Sequence, residues 1–273
     1  ADLDEIGDDE AVIEFFPDRP DLLSTEGIAR ALRAFTGQAP GLTRCSVAKP
    51  RTWLSVEPSI TDIRPWFLGG IVRGVSLDDV ALRSLMELQE KLHVTTGRRR
   101  RKASIGIHDL KPLEPPFRFY GCPLHEPAFI PLGCDEPMTP EEILQEHPKG
   151  IEYAHIPEGE KRYPLIVDSR EQVLSMPPII NGQLTALSAD TTDILIDVQG
   201  LDLAAFIAGA GAHGDDLAFL ITDGHSRPLL EEGDVAVQRT QVHVRHHQWH
   251  LKRRKRSDME RVRMDDAVDV GPR

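Results

Sequence analysis

Cysteine is scarce: Cys45, Cys122 and Cys134 are the three in 273 residues. An odd and scattered trio does not make a disulfide framework. Long apolar runs are lacking too, and none approaches the roughly 20 residues that a membrane helix needs. The opening Ala1-Asp2-Leu3-Asp4-Glu5 is acidic, with no apolar stretch of the secretory kind. No internal repeat occurs. These absences point to a protein of a reducing cytoplasm that does not use a membrane.

What is present is enough apolar material, 40%, for a packed core, and a negative balance of −12. The charge is unevenly spread. Residues 239–263 hold nine Lys or Arg against two acids, so that stretch is +7 and the remainder is −19. The average field of the main body repels phosphate, so any nucleic-acid contact there must come from local basic spots, and no DNA partner is expected. Arg outnumbers Lys by 24 to 8, a usage that fits ordinary drift as well as a GC-rich, salt-adapted genome.

Along the chain, Ala11–Phe16 reads as a strand. Ser24 offers an N-cap to a helix whose Ile28, Leu32 and Phe35 share a face, and Gly37 can end it. Residues 38–50 read as a linker. Strands are expected at Thr52–Val56, Gly70–Val75, Ser104–Ile107, Tyr163–Asp168, Val173–Met176 and Ile194–Val198. A strong helix is expected over Ala81–Leu92, with Glu87 placed to support Lys91 four residues on. Thr139-Pro140-Glu141-Glu142 has the form of a capping box with proline at the first helical position. Strands and helices mix without a βαβ rhythm, so the fold class is α+β, with mixed sheets packed against helices. The N-terminal part reads as the end of a domain begun earlier. After about Leu201 the pattern is weak, as a shifted reading frame, a truncation or a basic RNA-binding arm would produce.

Chemistry-bearing groups are sparse. No Ser-His-Asp or Cys-His set stands at a suggestive spacing. His108-Asp109 is a pair of adjacent strand residues, which point to opposite faces, so a structural role is favoured. Cys122, His125 and Cys134 lack a fourth ligand and a C-x-x-C pair, so no metal is expected. His243, His246, His247 and His250 would share a helix face in the basic tail, where solvation is the simpler reading. Arg98–Arg101 and Lys102 form a cationic run after Gly97, suited either to an RNA backbone or to salt bridges with the acidic body.

Five runs carry a resemblance. They are Asp18-Arg19-Pro20-Asp21-Leu22-Leu23-Ser24-Thr25-Glu26-Gly27-Ile28-Ala29-Arg30; Asp62-Ile63-Arg64-Pro65; Leu88–His93 with Gly97–Arg101 and Ile105–Asp109; Met138–Leu144; and Tyr163–Ser169 with Val173–Asn181. In order and spacing they are similar to the β subunit of phenylalanyl-tRNA synthetase in its archaeal and eukaryotic form, over roughly residues 5–200. The resemblance implies a partial N-terminal domain and linker over 1–45, a tRNA-editing domain over 46–200, and an unrecognised segment with a basic tail over 201–273.

The resemblance further implies a module that hydrolyses tyrosine mischarged on tRNA(Phe) and cannot charge tRNA alone. A pocket shaped for phenylalanine rejects an added hydroxyl only modestly, so a second, hydrolytic site does the sorting. Its pocket residues fall on Ile166, Ser175, Asp197 and Gln199: an apolar wall, a hydroxyl, a polar recognition group, and a glutamine where archaeal relatives commonly have threonine. Catalytic residues are not assigned. The expected partners are tRNA(Phe), touched by Arg98, Arg99, Arg100 and Arg101, and the synthetase α subunit. No cofactor is expected in this segment; ATP and magnesium belong to the complete synthetase. The alternatives are a non-catalytic fragment or paralogue that binds tRNA or an amino acid, and an inert remnant.

Overall fold

A computed structural model describes residues 2–7, 11–15, 19–41, 47–201 and 226–232. The chain divides into a unit Ala1–Val237 and a unit Gln238–Arg273. The second, with the histidine-rich basic tail, lies outside the described residues. None of the described helices is long and apolar enough to cross a membrane.

The N-terminal part pairs β1 (Asp2–Ile6) with β2 (Ala11–Glu14) in an antiparallel ribbon. Helix α1 (Thr25–Phe35) starts where expected, because Ser24 Oγ accepts from Gly27 N at 3.0 Å. It stops at Gly37, whose φ of +76° suits a residue without a Cβ. The apolar face read from the sequence is only half filled: Ile28 is partly buried, while Leu32 and Phe35 are exposed.

The body is a nine-stranded mixed sheet. Its strands are β3 (Val47–Val56), β4 (Trp66–Arg73), β5 (Ala103–Asp109), β6 (Phe117–Cys122), β7 (Tyr163–Val167), β8 (Val173–Met176), β9 (Ile180–Asn181), β10 (Asp193–Gly200) and β11 (Ser226–Glu232). Their spatial order is β5-β10-β4-β11-β3-β6-β7-β8-β9. The pairs β11–β4 and β3–β6 are parallel and the others antiparallel. The α+β expectation holds in this mixed sheet with flanking helices. Several details differ from the sequence reading: β1, β6 and a helix over Pro148–Tyr153 are not expected from it, and β4 starts at Trp66 rather than Gly70. The linker expected up to residue 50 gives way to strand at Val47, and Ser226–Glu232 supplies a strand in a region with no legible periodicity.

Helix α2 (Asp79–Val94) begins earlier than its apolar pattern suggests, because Asp78 accepts from Ala81 N at 2.7 Å and caps it. Ala81, Leu85, Leu88 and Leu92 are all partly buried, as a single inward stripe requires. Lys91 donates to the Leu23 carbonyl at 3.1 Å, a contact with the segment before α1 that the Glu87–Lys91 spacing does not suggest. Helix α3 (Pro140–Glu146) has the full capping box: Thr139 Oγ1 accepts from Glu142 N, and Glu142 accepts from Thr139 N at 2.7 Å. Helix α4 (Pro148–Tyr153) follows directly.

One core cluster packs Leu54, Phe67, Phe117, Phe119, Ile166 and Leu195 with their neighbours; a second gathers Phe129, Ile143, Tyr153, Leu165 and Met176. Every residue of β7 is buried, as expected of an inner strand covered on both faces. Truncating Ile166→Ala should therefore lower unfolding stability by roughly 2–5 kcal/mol, read by urea denaturation. A loss below about 1 kcal/mol would mean that this side chain is not part of the core.

Candidate functional site

The site grows out of strand alternation. On β10, Leu195, Asp197 and Gln199 share one face, and cross-strand pairing sets Asp197 opposite Gly106 and Gln199 opposite Ser104 on β5. Leu195 joins the core on this face, so the two polar residues beside it are carried inward: Asp197 is 1% exposed and Gln199 2%. A solvent-facing strand carboxylate, the simplest reading of an Asp flanked by Ile and Val, is excluded by that burial.

The buried side chains of Asp197 and His108 are held by hydrogen bonds. Asp197 Oδ1 accepts from Gln199 Nε2 at 2.7 Å, and its Oδ2 lies 2.7 Å from His108 Nε2. With the carboxylate as acceptor, His108 Nε2 is the donor of this bond. His108 Nδ1 lies 2.8 Å from the Thr185 hydroxyl. His108 is two residues from Gly106 on the same strand face, and a Cβ at Gly106 would stand 2.0 Å from Asp197 Oδ2. The missing side chain at Gly106 thus gives the carboxylate–imidazole pair its room.

Gln199 is held from the other side by Arg64, which is 2% exposed. Its Nε donates to Gln199 Oε1 at 3.1 Å; its Nη2 donates to Ser104 Oγ at 3.0 Å, Arg100 O at 3.1 Å and Gln199 O at 3.2 Å. Ser104 also donates to Gln199 Oε1. Burial lowers the Arg64 pKa to about 9, and the charge of Asp197 opposes that shift, so Arg64 remains a cation at neutral pH. The carboxamide of Gln199 thereby links a buried cation to a buried carboxylate.

This network forms part of the wall of a cavity of about 680 Å³ between α2, β5, the 175–187 segment and His147–Lys149. Of the four pocket residues read from the sequence, Ser175 and Gln199 line the cavity, and Asp197 lies behind Gln199 and Gly106. Ile166 does not line it. Its side chain belongs to the core, because β7 is covered on both faces.

The arginine run divides. Arg98, Arg99 and Arg101 are exposed, whereas Arg100 turns inward and lines the cavity. The cause is backbone geometry: Arg98, Arg99 and Arg100 have φ of +50°, +53° and +64°, three successive residues in the left-handed region. The Arg100 guanidinium donates to Glu90 at 3.0 Å and to the Ile179 carbonyl at 3.1 Å, and stacks 4.5 Å from the Tyr153 ring centroid. Sequence reasoning gave no role to Arg64, although it lies in a matched run, and favoured a structural role for His108 without identifying Asp197 as its partner. Cys122, buried in the second core cluster, has a thiol pushed up to about 12 by desolvation, and among the described residues no group of three His, Cys, Asp or Glu is placed to hold a metal.

Comparisons with known proteins show the family and the fold. The phenylalanine–tRNA ligase β subunit of Archaeoglobus fulgidus is 48% identical over 202 residues, which is 74% of this chain and 37% of that protein. Its counterpart from Methanosarcina barkeri is 46% identical over 210 residues, 76% of this chain and 38% of that protein. A solved N-terminal fragment of the phenylalanyl-tRNA synthetase β subunit from Pyrococcus horikoshii superimposes with a TM-score of 0.68 at 42% identity, covering 71% of this chain and 56% of that one. This chain belongs to the phenylalanine–tRNA ligase β-subunit family. It spans little more than a third of the length of these curated relatives. No family model matches it.

Two measurements probe the wall of this family member. Gly106→Ala should part Asp197 from His108 and cost about 1–3 kcal/mol; an unchanged denaturation midpoint would mean that the pair does not occupy that space. His93, at the end of α2, accepts from Ile105 N at 2.9 Å through Nε2 and contacts Glu90 through Nδ1 at 3.3 Å. Desolvation, reinforced by the nearby Arg100 charge, lowers its pKa from 6.5 to about 4. The unfolded chain therefore binds this proton more tightly than the folded one. His93's contribution, roughly 3 kcal/mol by proton linkage, is fully present above about pH 6.5 and lost as pH falls towards 4. Stability measured across that window should fall less in His93→Gln; parallel profiles would remove His93 as a cause.

Proposed function

We propose that this chain is an editing module, which hydrolyses tyrosine wrongly esterified to tRNA(Phe). The observation that carries the reading is the cavity wall itself: Gln199 and Gly106, with Asp197 behind them, in a chain whose relatives bear the name of a phenylalanine–tRNA ligase subunit. A hydroxyl-recognition site needs a preorganised acceptor or donor in an apolar frame. Asp197 keeps lone pairs beyond the two contacts it makes, and Gln199 Nε2 keeps a second N–H after donating to Asp197. The tyrosine hydroxyl would bond here, while phenylalanine would leave the site without a partner, at a cost of about 1–3 kcal/mol.

Hydrolysis in this reading uses an oriented water, with position and electrostatics supplying the rate. Thr185, His108 and Asp197 form a hydrogen-bonded chain, yet the Thr185 hydroxyl also faces the Leu174 and Gly182 carbonyls and is 1% exposed. We therefore give Thr185 and His108 the task of holding Asp197, and assign no side chain as nucleophile or general base. Charging of tRNA, a synthetase α-subunit partner and residence in the cytoplasm follow only if this chain acts as part of a complete synthetase of the kind its relatives are named for.

A second reading rests on Gln199. Its amide occupies Asp197 Oδ1, and a site closed in this way would bind an amino acid or tRNA without turnover. Deacylation of tyrosyl-tRNA(Phe) separates the two. The editing reading expects release of tyrosine, retention of phenylalanine on phenylalanyl-tRNA(Phe), and a loss of roughly 10- to 100-fold in Asp197→Asn. No release from a chain shown to be folded would contradict editing and leave the binding module.

A further inference from the structure

The cavity has a wall that recognition of tyrosine does not use. Among the described residues its lining includes Arg83, Arg100 and Lys149 but no Asp or Glu, in a chain whose net charge is −12. Carboxylates pair with two of these cations without lining the cavity: Glu90 holds Arg100 at 3.0 Å and Glu152 holds Lys149 at 2.8 Å. Arg98, Arg99 and Arg101, exposed on the same turn as Arg100, add three positive charges close by. The local balance is cationic although the molecule is anionic.

Arg100 is built in rather than loosely placed. Its side chain is 13% exposed, and it is held by Glu90, two backbone carbonyls and the face of Tyr153. Its Nε nevertheless has no hydrogen-bond partner among the described residues, and the same is true of Ser175 Oγ, also in the cavity lining. A buried donor without an acceptor costs free energy that a ligand oxygen would recover. The left-handed backbone of Arg98, Arg99 and Arg100 is a second cost, of the kind that concentrates where a ligand is gripped. A fixed guanidinium suits a phosphate better than a flexible ammonium does. A cavity of about 680 Å³ also has room for more than an amino-acid side chain.

We propose that Arg100, supported by Arg83 and Lys149, is a phosphate-binding residue of this cavity, and that it takes the 5′-phosphate of the terminal adenosine at an RNA 3′ end. The inference rests on the editing reading for the nature of the ligand. It adds an orientation: the nucleotide phosphate lies at the cationic wall formed by α2 and the arginine turn, and the aminoacyl group points towards Gln199 and Asp197. Arg100 is then a positioning residue, which sets the ester against the polar floor and touches no reacting atom.

The test compares adenosine 5′-monophosphate with adenosine by NMR titration of the full chain. The proposal expects the monophosphate to bind at least tenfold more tightly, Arg100→Gln to erase that preference, and Arg100→Lys to keep part of it. Arg83 is exposed on α2, so Arg83→Gln keeps the test open if Arg100→Gln does not fold; it should reduce the preference several-fold. Equal binding of the nucleotide and the nucleoside, or an unchanged preference in both folded Gln variants, overturns the proposal. Displacement of the monophosphate by an equal concentration of inorganic phosphate overturns the assignment to an RNA end. Deacylation is measured separately. Tyrosine release without a phosphate preference contradicts this inference alone; a phosphate preference without release contradicts hydrolysis alone.

Discussion

Arg64 places a full positive charge where only 2% of the residue meets solvent, and much of the site follows from what that charge requires. An unpaired buried cation costs several kcal/mol, so its donors must all be met by acceptors fixed in advance. Four groups accept from its Nε and Nη2: the Gln199 side chain and carbonyl, the Ser104 hydroxyl and the Arg100 carbonyl. Gln199 passes the interaction to Asp197, which faces His108, which faces Thr185. Elements separated by more than a hundred residues are tied together by one guanidinium. Removing it would leave Asp197 as a buried charge without its counterpart.

The same constraint shapes the opposite wall. The turn after α2 enters the left-handed region; it brings the Arg100 carbonyl to Arg64 and carries the Arg100 guanidinium over Tyr153 at the cavity edge. One residue therefore serves the buried network through its backbone and the cationic wall through its side chain. A cavity with a hydrogen-bonding floor and a positively charged side is suited to a ligand that is polar at one end and anionic at the other. An aminoacyl ester on a nucleotide is such a ligand.

Local features were legible in the sequence because their causes are local. The Thr139–Glu142 box, the Ser24 cap and the α2 stripe each depend on residues within a few positions, and each is present in the structure. Ser175 and Gln199 came from a resemblance and do line the cavity. The rest depends on distance in sequence. Arg64 and Gln199 are 135 residues apart and His108 and Asp197 are 89 apart, so no spacing rule could pair them. Ile166 shares the register of the site strands, but burial on both faces of β7 assigns it to the core. A tract of four arginines reads as one unit, suited to an RNA backbone or to salt bridges; in the structure three positive φ values accompany a turn that sends the third inward.

The most direct test is a crystal structure with a non-hydrolysable 3′-tyrosylamido analogue of adenosine 5′-monophosphate bound. The tyrosyl ring is expected beside Gly106, with its hydroxyl within hydrogen-bond distance of Asp197 or Gln199 and the Arg64 contacts intact. A ligand seated elsewhere, or a ring in the cavity whose hydroxyl meets neither residue, would contradict it.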